Sequence, residues 1–124
     1  VIFRRIAALP TPGYGCNRAW ATAEKLSFTI SYECDDEETD GTVVRKVAFR
    51  RVVAYTFHDE AHAHQWAKET FDAVAEADDS DWLETLKAKV PTGRSSWPFE
   101  RHHYVICLRN HGCYEVVAES VTLE

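Results

Sequence analysis

Apolar and polar positions alternate most cleanly in residues 26–34, where Leu26, Phe28, Ile30, Tyr32 and Cys34 interleave with Ser27, Thr29, Ser31 and Glu33. A period of two sets the first group on one face and the second on the other, so the segment is predicted as a strand with one buried face. The pattern returns over residues 42–57. There Val43, Val47, Phe49, Val53, Tyr55 and Phe57 share one parity, and Val44, Ala48, Val52 and Ala54 share the other. A strand this long bends at a bulge, and Arg50-Arg51 is the expected place. Residues 101–121 read RHHYVICLRNHGCYEVVAESV, two β-branched runs around Asn110-His111-Gly112, which predicts a β-hairpin. With residues 110–112 as the loop, Arg109 faces Cys113, and Cys107 lies on a diagonal to Cys113.

Between these strands the period lengthens. Asp59 can cap a helix with Glu60 in its first turn, and Ala63, Trp66, Ala67, Thr70, Val74 and Ala77 form a stripe at helical spacing, ending at Asp78-Asp79. Ser80 can cap a second, short helix over residues 81–89, with Leu83, Leu86 and Val90 inward and Trp82 near the edge, before Pro91-Thr92-Gly93 stops it. Residues 1–9 suit an edge strand, halted by Pro10-Thr11-Pro12-Gly13; the rest of the first 25 residues give no clear pattern. The fold class expected is α+β: one curved antiparallel sheet, or a half-open barrel, with two helices between the N-terminal and C-terminal strands. Phe28, Ile30, Val47, Phe49, Val53, Ile106 and Val116 are its expected buried residues.

The chain has 124 residues, 45% hydrophobic and 12% aromatic, enough for a core in a single domain spanning 1–124. No apolar stretch approaches the roughly 18 residues of a membrane span. The net charge of −6 disfavours a nucleic-acid partner. Its carboxylates cluster, with Glu33, Asp35, Asp36, Glu37, Glu38 and Asp40 in one run and Glu76, Asp78, Asp79, Asp81 and Glu84 in another. Such runs are solvated loops or a surface for a basic partner. The four cysteines, at positions 16, 34, 107 and 113, lack metal-type spacing, and no signal-peptide pattern precedes them. All four are therefore expected as free thiols in a cytoplasmic protein.

Six histidines carry the remaining candidate chemistry. His58 and His62 are four apart and share a face if a helix begins early enough, and His103 (or His102) at the start of the hairpin could join them as a zinc ligand. No H-E-x-x-H motif accompanies them. The aromatics Trp20, Trp66, Trp82, Trp97, Tyr32, Tyr55, Tyr104 and Tyr114 form either the core or the lining of a small-molecule pocket. No catalytic motif is evident, and enzymatic activity is not expected.

His103-Tyr104-Val105-Ile106 and the run from Gly112 to Ser120, with Asp81-Trp82-Leu83 upstream, resemble the C-terminal hairpin of small bacterial proteins, about a third of the chain. Among acidic bacterial domains of this size are immunity proteins, which neutralise a toxin by binding it. The resemblance implies a compact bacterial domain and assigns no site residues. The function expected is a non-catalytic acidic interaction domain that binds a basic protein through Asp35, Asp36, Glu37, Glu38 and Asp40 or through Asp78, Asp79 and Asp81, with no cofactor. The alternatives are a zinc-binding protein or small metalloenzyme using His58, His62 and His103, and a curled-sheet pocket that binds or transforms a small molecule.

Overall fold

The alternating segments do pair, but in two sheets rather than one. A computed structural model describes residues 2–11, 15–59, 70–89 and 100–124. Its elements are β1 (Ile2–Ala8), β2 (Arg18–Glu24), β3 (Ser27–Asp36), β4 (Gly41–Arg50), β5 (Ala54–Asp59), β6 (Ala73–Asp78), α1 (Asp81–Ala88), β7 (His102–Leu108), β8 (Gly112–Ala118) and β9 (Ser120–Leu123). The first sheet has the order β1-β6-β7-β8-β5 and the second β2-β3-β4-β9, with every pair antiparallel.

This corrects the expected α+β class. The molecule is mostly β, with one short helix among the described residues and two antiparallel sheets that do not close into a barrel. The longer helix expected from Asp59 to Asp78 is corrected at both of its described ends. Asp59 is the last residue of β5, and Val74 and Ala77 of the expected stripe lie in β6. Both readings suit Val74 and Ala77, because a short apolar run with small residues satisfies either period, and pairing with β1 and β7 decides in favour of the strand. Ala63, Trp66 and Ala67 lie outside the described residues, as do Val90 and the stop at Pro91-Thr92-Gly93. The second helix forms as expected. Ser80 caps it, accepting the Leu83 N–H at 3.1 Å, and Trp82, Leu83 and Leu86 are half-buried.

The break at Arg50-Arg51 falls where the pattern placed it, but it moves the chain to the other sheet. Arg51 takes φ +52°, β4 ends, and β5 begins in the first sheet. The C-terminal segment makes the same change, with β8 in the first sheet and β9 in the second. The two segments stay paired through both sheets. Ala54 opposes Val117, Val53 N–H donates to Val117 O at 2.8 Å, Glu119 N–H donates to Arg50 O at 3.0 Å, and Arg50 opposes Ser120.

Between the sheets lies an apolar core. Phe28, Ile30, Tyr32, Val47 and Phe49 meet Val74, Tyr104, Ile106, Leu108, Tyr114 and Val116, all buried. Burying each large aliphatic or aromatic side chain stabilises the fold by about 1.5–3 kcal/mol. Val53 and Leu26 depart from the expected facing: Val53 is 38% exposed in the crossing between sheets, and Leu26 is 60% exposed in the tight β2–β3 turn. The opposite face of the first sheet is also buried at Val105, Cys107, Cys113 and Val117, with Phe3 and Phe71 against it. Among the described residues no helix is long and apolar enough to cross a membrane.

The hairpin register differs from expectation by one residue. Leu108 opposes Gly112, so the loop is Arg109-Asn110-His111, with Asn110 at φ +67°. Cys107 then sits directly opposite Cys113, with Cα atoms 4.0 Å apart, and the two form a disulfide. The expectation of four free thiols is thus corrected: Cys16 and Cys34 alone are free, both buried. Two free thiols and a disulfide, in place of four thiols, no longer favour a cytoplasmic location.

Candidate functional sites

The acidic run at the β3–β4 turn becomes a hairpin tip. Asp36 opposes Gly41, leaving Glu37, Glu38, Thr39 and Asp40 to turn the chain. The turn is pinned by Asp36, whose carboxylate accepts from Glu38 N–H and Thr39 Oγ1, each at 3.0 Å, while its carbonyl accepts Asp40 N–H at 3.1 Å. Asp40 takes φ +57°, a left-handed conformation that a short polar side chain tolerates. Asp35 accepts from Asn17 Nδ2 at 2.9 Å. Asp35, Glu37, Glu38 and Asp40 are exposed and Asp36 is half-buried. Beside the tip runs an open cleft of about 370 Å³, whose lining includes Asp35, Asp36, Glu37 and Glu38 together with Pro10, Thr11, Cys34, Val43 and Arg45.

The second acidic run is distributed differently. Glu76 and Asp78 belong to β6 and face Arg4 of β1 at 3.5 and 3.4 Å, and Glu76 also meets His102 Nδ1 at 2.7 Å. Asp79 turns the chain at φ +55°. Asp81 and Glu84 occupy the first turn of α1, where negative charge suits the helix dipole. The fold itself thus engages these carboxylates with cations, turns or a helix end.

Two histidines, His58 and His103, meet at one carboxylate. His58 on β5 and His103 on β7 flank Glu115 on β8: His58 Nε2 lies 3.1 Å from Glu115 Oε2, and His103 Nε2 lies 2.9 Å from Glu115 Oε1. The register explains the meeting. Thr56 is directly opposite Glu115, while His103 lies one diagonal step from it on the same face. Thr56 Oγ1 adds a bond to Glu115 Oε2 at 3.4 Å, and Ser80 Oγ lies 2.6 Å from His103 Nδ1. Trp82 of α1 stands edge-on to His103, with centroids 5.1 Å apart. His103 and Ser80 are 5% and 4% exposed.

A carboxylate only accepts, so both imidazoles present an Nε2 proton to Glu115. His103 Nδ1 then meets the Ser80 hydroxyl, which donates to it when the ring carries its one proton at Nε2. Burial pushes the Glu115 carboxyl up, but the hydrogen bonds and charges of His103 and His58 outweigh this and hold it below its ordinary value. Glu115 and Ser80 were not among the candidate residues. Glu115 was legible in the hairpin, twelve positions after His103 and on its face; Ser80 was read as a cap alone.

His62, the third expected zinc ligand, lies outside the described residues. Among the described residues no group of three or more histidine, cysteine, aspartate or glutamate side chains is arranged to hold a metal ion. The expected aromatic set is divided as well. Tyr32, Tyr104 and Tyr114 are buried between the sheets, Trp20 and Tyr55 are exposed at 37% and 49%, and Trp66 and Trp97 lie outside the described residues. Comparison with family models, with curated proteins and with solved structures returned no match.

Proposed function

We propose that this chain is an interaction domain that binds a basic protein through the tip of the β3–β4 hairpin, in the manner of an immunity protein that blocks its target by occupying it. The observation that carries the reading is the contrast between the two acidic runs. Glu76, Asp78, Asp81 and Glu84 have work within the fold, whereas Glu37, Glu38 and Asp40 project from a pinned turn with no cation among their hydrogen-bond or ion-pair partners within the described residues. Holding like charges together at the end of a hairpin costs self-repulsion, and an incoming positive surface relieves it. The adjoining cleft gives a partner's side chain a place to enter.

The test is affinity capture on the immobilised chain at low ionic strength, followed by kinetics with each captured protein. A true partner is basic, associates more slowly as salt rises with little change in dissociation, and is lost when Glu37 and Glu38 are both changed to Lys. If every captured protein binds the doubly substituted chain equally well, the hairpin is not the docking surface.

A further inference from the structure

Beyond docking, we infer that Ser80 is an activated nucleophile that takes the acyl group from small esters, with His103 as its base and Glu115 as the positioning residue behind the base. The geometry is a continuous relay across three elements: the Ser80 hydroxyl at the start of α1 lies 2.6 Å from His103 Nδ1, and His103 Nε2 lies 2.9 Å from Glu115 Oε1. A serine hydroxyl is a weak nucleophile unless a base takes its proton, and an imidazole is the better base when a carboxylate fixes its tautomer and supports its charge. The carboxylate is itself steadied by His58 at 3.1 Å and Thr56 at 3.4 Å. Capping α1 requires one lone pair of the Ser80 oxygen, used on Leu83 N–H at 3.1 Å, and leaves the other for attack.

A second feature points the same way. Ser80 stands where β6 turns into α1, with Asp79 at φ +55° just before it. In the first turn of α1, Leu83 N–H goes to the Ser80 side chain and Glu84 N–H to the Ser80 carbonyl. The N–H groups of Asp81 and Trp82, on the two residues after the hydroxyl, have no carbonyl within the helix to meet. They are the donors an oxyanion needs, at the positive end of the helix dipole. Ser80 Oγ bonds to the ester carbonyl carbon while its proton passes to His103 Nδ1. The carbon–oxygen bond to the alcohol breaks as His103 returns that proton to it. Water repeats the cycle, releasing the acid and restoring Ser80. Ser80 and His103 are only 4% and 5% exposed, so a small acyl group is the one expected to reach the hydroxyl.

The probe is a small alkyl fluorophosphonate incubated with the whole chain, read by intact mass and by peptide mapping. The expected result is one adduct per chain, on Ser80, formed faster as pH rises, as catalysis by a general base requires. His103→Gln, checked for folding by circular dichroism, is expected to slow labelling by about a hundredfold or more. Absence of a Ser80 adduct on wild-type chain overturns the inference, as does a labelling rate indifferent to pH. If His103→Gln does not fold, the wild-type pH profile decides. A serine that only caps α1 and anchors a histidine shows neither the adduct nor the profile. Glu37 and Glu38 take no part, so this result and the docking result are independent.

Discussion

His103 Nε2 lies 2.9 Å from Glu115 Oε1, two residues twelve apart in sequence that meet on a diagonal of the β7–β8 ladder. The carboxyl is held below its ordinary value of 4.5 despite its burial. A group that ionises more readily folded than unfolded adds stability above its unfolded value, and the contribution is lost as pH falls through the lower, folded value. Glu115→Gln is therefore expected to be less stable than wild type at neutral pH by roughly 2 kcal/mol, the cost of removing a charged acceptor from the buried His103 and the half-buried His58. The difference should narrow as pH falls below 4.5. Urea midpoints measured across that range check it, and a constant difference would contradict the assignment.

Gly112 opens β8 at φ +153°, and a Cβ there would lie 2.6 Å from His58 O and 2.6 Å from a Phe57 ring carbon. The ring could rotate away; the carbonyl belongs to the β5–β8 ladder and cannot. Gly112→Ala is expected to destabilise by about 2–3 kcal/mol through overpacking and backbone strain. A thermal midpoint within a degree of wild type would show that β5 is not held against the turn.

The thiol count tests the hairpin register. With Cys107 bonded to Cys113, the unfolded, unreduced chain should titrate two thiols, and four after reduction. In the folded chain Cys16 and Cys34 should react slowly, because burial pushes both thiols up and keeps them protonated. Four thiols before reduction would restore the one-residue-shifted register.

Charge reversal should separate binding from folding. Glu37→Lys with Glu38→Lys is expected to slow partner association by about tenfold or more at low salt, and to shift stability by less than about 0.5 kcal/mol, as exposed charges do. Asp36→Lys is the wrong control, since Asp36 pins the turn with two side-chain hydrogen bonds; its loss should cost about 1 kcal/mol more. A melting curve shifted equally by both changes would mean that Glu37 and Glu38 are structural.

The strands were legible because alternation in residues 26–34 reports one buried face and the β-branched runs of residues 101–121 mark strands buried on both, and the burial of Phe28, Ile30, Val47, Phe49, Ile106 and Val116 follows. Which sheet a strand joins is not written in alternation, since β3 and β8 show the same inward face whether they are neighbours or lie across a core. β2 was missed because six of its seven residues are exposed, so burial left no periodic mark on Ala19, Ala21 and Ala23. The Cys107–Cys113 pair was missed because a hairpin loop moved by one residue changes every cross-strand partner. At the histidine cluster, His58 and His103 were named from their residue type, while Glu115 and Ser80 required the register to be recognised.

The crossing at Arg50 and Glu119 has a kinetic meaning. Segments 47–59 and 112–123 are one two-stranded ribbon folded over the edge of the core, so the sheets share a single ladder. Neither sheet can peel away while the other survives, because its departure tears the ribbon at the corner. The amide protons of Val53 and Glu119, though set in a bend, should exchange with solvent only as slowly as those of the innermost strands, through opening of the whole molecule.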